Sequence, residues 1–181
     1  MQKDRQRTTA AGAAAAATRV HDLADAIAAA APNVNEHERR VAVSLLAIPE
    51  MDHRFYAEGG KPIYGWCALD PFLIVPVIGR AAHVESRDAT TGEPITMTVT
   101  PDDVEDLSPP SGVVSFLVPD QPFDQDVIQS FCHFVLTFAS RDSADRWASE
   151  RDGIVLLPVA DAFQVGRRAW RWLREPTSTA R

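Results

Sequence analysis

The sequence predicts an α+β fold: a mixed or antiparallel β-sheet core with flanking helices and a short helical N-terminal region. Three observations predict it. Segments such as "AHVESRD" and "ITMTVT" alternate apolar and polar residues, the two-residue period of half-buried strands. Segments such as "TRVHDLADAIAAAAP" and "SRDSADRWASERDG" carry helical spacing or helix caps. The two kinds are mixed without a regular βαβ rhythm.

The elements follow in chain order. Residues 1–17 are low in complexity and predict a disordered tail. Residues 18–50 predict a short helical region, and 51–175 the core domain. Val20, Leu23, Ala24 and Ile27 recur at helical spacing, and Pro32 stops that helix. A second helix starts at Asn35, with Glu38 as its capping-box partner. It carries Val41, Leu45 and Ile48 on one stripe and ends at Pro49. His21 and His37 read as solvated face residues. "HRFYAEGGKPIYGW" predicts a hairpin around Gly59 and Gly60. "ALDPFLIVPVIGR" predicts a short buried helix: Pro71 suits its first turn, and Pro76 should kink or end it.

"AHVESRD" and "ITMTVT" are strands joined by the turn "ATTGEP". "PDDVEDLSPP" reads as an acidic loop whose spacing fits no calcium-binding hand. "GVVSFLV", "CHFVLTFA" and "IVLLPV" read as further strands. "SRDSADRWASERDG" is a helix capped by Ser140 and closed by Gly153. "DAFQVGRRAWRWLRE" is a basic, aromatic helix in which Trp170, Trp172 and Leu173 read as packing residues.

Composition bounds the function. The 181 residues are 45% hydrophobic and 24% charged, which suits a globular domain. A net charge of −7 argues against a nucleic-acid or anionic-membrane surface. No apolar run reaches the length of a membrane span, and the alanine-rich N-terminus is a weak signal segment. The expectation is a cytoplasmic protein with no nucleic-acid or membrane partner and with reduced thiols. No phosphate loop or nucleophile elbow is present.

Two cysteines, Cys67 and Cys132, lie far apart in sequence, so they form no local metal motif. Each alone reads as a small buried hydrophobe. Brought together beside Asp70, they would be something else. If "CALD" opens a helix, Cys67 and Asp70 share a face at i, i+3. The carboxylate could then take the thiol proton. Two thiolates prefer soft ions; zinc wants four ligands, whereas mercury(II) or copper(I) accept two or three. Two sulfurs on an alkyl or aryl mercury cation push electron density onto the metal and make its carbon carbanion-like. Asp70, having taken a thiol proton, could deliver it to that carbon. This chemistry needs no organic cofactor. It leaves a hydrocarbon and mercury(II) as a bound product.

The stretch "YGWCALDPFLIVPVIGRAAHVESRDATTGEPITMTVTP" resembles the core of bacterial organomercurial (alkylmercury) lyases. So do "VVSFLVP", "QSFCHFVLTFAS", "RWASERDGI" and "DAFQVGRR", in the same order. The resemblance covers roughly residues 51–168. It implies catalytic roles for Cys67, Asp70 and Cys132, mercury contacts for the same three, and pocket positions for Tyr64, Trp66 and Phe131. It implies an organomercurial substrate, small thiols as mercury acceptors and mercuric reductase as a partner. The chain departs from the family pattern at His133 and Asp88, where many members carry cysteines, and in a shorter N-terminal region. In a strand, His133 would point away from Cys132. Two other readings compete with the lyase: a soft-metal carrier on the same scaffold, and an enzyme acting on another carbon–metalloid bond. A carrier has no need of Asp70.

Overall fold

The computed structural model describes residues 19–27, 29–30, 53–57, 62–120 and 130–174. The tail 1–17, the helix expected near 35–48 and the Gly59–Gly60 turn lie outside the described residues.

Residues 19–27 form the first helix, α1. It buries Val20, Leu23, Ala24 and Ile27, the four residues at helical spacing. The strands β1 (His53–Ala57) and β2 (Ile63–Gly65) pair antiparallel, as the hairpin reading requires. β1 pairs on its other side with β3 (Ala82–Arg87), which pairs with β4 (Pro94–Val99). The alternation in β3 and β4 is a face assignment. Ala82, Val84, Ser86, Ile95, Met97 and Val99 are buried, while His83 and Arg87 face out.

The acidic segment departs from expectation. Val104–Ser108 is a fifth strand, β5, at the edge of this sheet and bulged opposite Thr96–Thr98. Its Val104 and Leu107 rest on the core, while Glu105 and Asp106 stay exposed. Charges along an unpaired edge are how sheets discourage further pairing. The first sheet runs β2-β1-β3-β4-β5.

A second, three-stranded sheet runs β7-β6-β8, with β6 (Val113–Leu117), β7 (Thr137–Phe138) and β8 (Ile154–Pro158). Of the strand expected over "CHFVLTFA", only Thr137–Phe138 is strand. Cys132–Phe134 is a 3-10 turn. The buried Ser115 hydroxyl explains part of this: it donates to the Phe134 carbonyl at 2.8 Å and accepts from the Leu136 N–H at 3.2 Å. A side chain thus takes bonds that a ladder would otherwise hold.

Helix α2 (Asp70–Ile78) follows β2, α3 (Arg141–Ala148) follows β7, and α4 (Val159–Arg174) follows β8. Ser140 caps α3, accepting from the Ser143 N–H at 3.2 Å. That helix ends at Ala148, earlier than expected, and Gly153 takes a positive φ in the turn to β8. Pro76 sits inside α2, which runs two residues past it to end on a left-handed Gly79. Proline has no N–H for the Phe72 carbonyl one turn back. Helix α4 crosses there at Gly166, where a Cβ would lie 2.6 Å from the Phe72 Cβ and 3.1 Å from its carbonyl oxygen. Phe72 and Phe163 meet edge to face at 5.9 Å across the same crossing. The main core joins α1, α2, α4 and the inner faces of both sheets.

Candidate active site

Cys67 and Asp70 meet where β2 gives way to α2. Asp70 is the first residue of the helix, a position that favours a carboxylate. Its side chain turns back to accept the Cys67 backbone N–H at 3.0 Å, and the Trp66 N–H as well. The Cys67 sulfur lies 3.9 Å from Asp70 Oδ1. Gly65 makes this fold-back possible: a Cβ there would stand 3.0 Å from Asp70 Cβ and Oδ2. Sequence reasoning missed this glycine, whose use shows only in three dimensions.

Cys132 comes from the other sheet's side. The Ala68 N–H donates to the Val135 carbonyl at 3.0 Å, and the Val135 N–H to the Cys132 carbonyl at 3.0 Å. These bonds hold the Cys67 loop against the Cys132 turn, and the Cys132 side chain stands close enough to the Cys67 thiol to raise its pKa. The structure therefore brings Cys67, Asp70 and Cys132 together.

The electrostatics follow from this packing. The hydrogen bond to Cys132, burial and the charge of Asp70 push the Cys67 thiol well above the usual thiol range. Burial raises the Asp70 carboxyl to about 6, against the pull of the Cys67 and Trp66 N–H groups and the Cys67 thiol. Although Asp70 as a whole residue keeps some solvent-accessible surface, desolvation dominates at its carboxyl. An acid poised near neutrality beside two thiols can both take and give a proton.

The aromatic positions fare differently. Phe131 is buried in the main core just before Cys132. Trp66 is half-buried, and its indole Nε1–H is buried with no hydrogen-bond partner among the described residues. Tyr64 pairs with Arg54, and Arg54 with Glu85. Strand alternation thus puts Tyr64 on the polar face of the sheet, opposite Gly65 and the Asp70 carboxylate. His133 is exposed on the 3-10 turn, where successive side chains diverge by about 120°. The strand argument that turned it away from Cys132 does not hold.

Asp88 is buried in a different place. Its carboxylate accepts from Thr90 N–H (2.7 Å), Thr91 N–H (2.8 Å), Ala139 N–H (2.8 Å) and Ser143 Oγ (2.8 Å). Burial alone would raise its pKa, but those donors hold it below the usual carboxylate value. Among the described residues, no three His, Cys, Asp or Glu side chains are arranged as a metal-ion site.

A family model described as alkylmercury lyase matches residues 46–171. The chain belongs to the alkylmercury lyase family. An alkylmercury lyase of Streptomyces lividans is 38% identical over 155 residues, spanning 85% of this chain and 71% of that protein. One of Pseudomonas putida is 41% identical over 137 residues, 75% of this chain and 63% of that protein. One of Bacillus cereus is 37% identical over 134 residues, 74% of this chain and 60% of that protein. The chain thus spans less than two thirds of the last two relatives. A solved structure, the mercury-bound form of MerB2, superposes with a TM-score of 0.57 at 25% identity. That match covers 70% of this chain and 60% of the other, and the α+β arrangement of the alkylmercury lyase family is the one found here.

Proposed function

We propose that this chain cleaves carbon–mercury bonds by protonolysis, releasing a hydrocarbon and leaving mercury(II) between Cys67 and Cys132. The observation that carries the reading is the meeting of two thiols, from distant segments, with a carboxyl raised to about 6. The sulfurs are soft donors matched to mercury. Asp70 removes a thiol proton and returns it to the carbon that leaves. Mercury is substrate and product here, and no organic cofactor takes part.

Small thiols bring the organomercurial and carry the mercury(II) away, with mercuric reductase as the downstream partner that the family resemblance implies. No described helix is long and apolar enough to cross a membrane. The cytoplasm, where thiols stay reduced, is the compartment that suits the chemistry. The test is direct: purified protein, phenylmercury and excess small thiol should yield benzene by gas chromatography. A tightly held phenylmercury adduct with no benzene would sink the lyase reading and leave a carrier.

A further inference from the structure

The two sulfurs are not equivalent. Cys67 is 2% exposed, enclosed with Ala68, Leu69 and Phe131, which are 2%, 3% and 4% exposed. Cys132 is partly exposed, on a 3-10 turn whose next residue, His133, faces solvent. In a thiol-rich solution an organomercurial travels as R–Hg–SR′. Exchange requires a protein sulfur to attack its mercury, and a thiol closed off from solvent does so only when the structure opens locally.

We propose that Cys132 is the exchange sulfur, taking the organomercurial from solution and being the first to hand mercury(II) back, while Cys67 acts only inside the protein. This rests on the lyase reading and deepens it. In the first step the Cys132 sulfur bonds mercury, the Hg–SR′ bond breaks, and the Cys132 proton leaves on R′SH. In the second the Cys67 sulfur bonds the same mercury. Its proton passes to Asp70 Oδ1, 3.9 Å away, and on to carbon as the Hg–C bond breaks. Mercury stays in the +2 state throughout, and Asp70 ends as it began. One thiol proton thus leaves with the outgoing thiol, and the other ends in the hydrocarbon. Release reverses the first step: R′SH attacks from the open side and displaces Cys132 before Cys67.

Because the chain has two cysteines, each single substitution leaves one thiol and an unambiguous adduct. Full-length parent, Cys67→Ser and Cys132→Ser are mixed with the phenylmercury–cysteine adduct, quenched at intervals and weighed by mass spectrometry. Circular dichroism confirms that each is folded, and Cys67→Ala and Cys132→Ala stand in for any serine variant that is not. With Cys67 replaced, the protein should gain phenylmercury at the parent's rate. With Cys132 replaced, uptake should slow by about tenfold or more, because the remaining thiol waits on local opening. Equal uptake rates for the two variants, or faster uptake by the one that retains Cys67, would overturn the order. Benzene from the parent decides the lyase reading separately, so the two can fail independently.

Discussion

Replacing Asp70 with asparagine should abolish hydrocarbon release and, above neutral pH, make the protein more stable. The carboxyl titrates at about 6 in the folded chain, against an ordinary 3.8. An acid with a raised pKa holds its proton longer folded than unfolded. Its contribution is therefore neutral below about pH 4 and turns unfavourable as pH climbs toward 6. The penalty stays constant above that. About two pKa units correspond to roughly 3 kcal/mol at 1.36 kcal/mol each. Asparagine carries no charge and escapes that penalty. It keeps one acceptor oxygen, which is neutral and so a weaker partner for the N–H groups of Cys67 and Trp66, at a loss of about 1–2 kcal/mol. The net gain is about 1–2 kcal/mol, or about 2–8 °C in Tm for a chain of this size. Urea and thermal unfolding of both proteins, from about pH 4 to about pH 8, read this out. The parent should lose stability relative to the variant between about pH 4 and 6, and the two should run parallel above. A difference that is the same at both ends of the range, or a variant less stable than the parent at about pH 8, would refute the reasoning.

Gly166→Ala should lower stability by about 1–3 kcal/mol, seen as a reduced urea midpoint, because the new methyl meets the Phe72 backbone and Cβ rather than a yielding side-chain end. Asp88→Asn should cost about 2–4 kcal/mol near neutral pH, since its amide nitrogen must confront either the Ala139 N–H or the Thr90 and Thr91 N–H groups. Asp88's lowered pKa means that its stabilisation is present above about pH 4 and lost as pH falls further, so the gap between parent and variant should close in acid; a gap that persists there refutes the assignment. His133→Ala should leave single-turnover benzene release within about twofold of the parent, because the exposed imidazole is not one of the groups that hold or move the proton. A large loss in a folded protein would place His133 in the chemistry.

Much of the fold was legible because burial on one face writes a period into the sequence. Helix α1, β3, β4 and the Ser140 cap all follow local rules, and each stands where its residues predicted. The failures share a cause: bonds to distant residues overrode local preference. Val104–Ser108 looks like a loop by charge, yet Val104 and Leu107 are enough to seat it as an edge strand. "CHFVLT" looks like a strand by propensity, yet Ser115 and Ala68 take its backbone groups. That Cys67, Asp70 and Cys132 would meet was legible from their types and from family resemblance. Gly65, which makes room for the acid, was not, because a close approach leaves no trace in periodicity.

The same displaced hydrogen bonds explain why the site can work. A strand through Cys132 would have committed its backbone to neighbouring strands and alternated its side chains across the sheet. The 3-10 turn instead leaves the Val135 carbonyl to receive the Ala68 N–H, so the backbone beside one thiol is bonded directly to the backbone beside the other. On its far side the turn is held by Ser115, fully buried in β6. Sulfur separation is therefore fixed by main-chain bonds, while the acid is fixed by a single helical turn and the space above Gly65. Two thiols and a buried acid are unfavourable company for a folded chain. That backbone frame opposes their relaxation, and so keeps the Asp70 carboxyl within reach of the Cys67 sulfur.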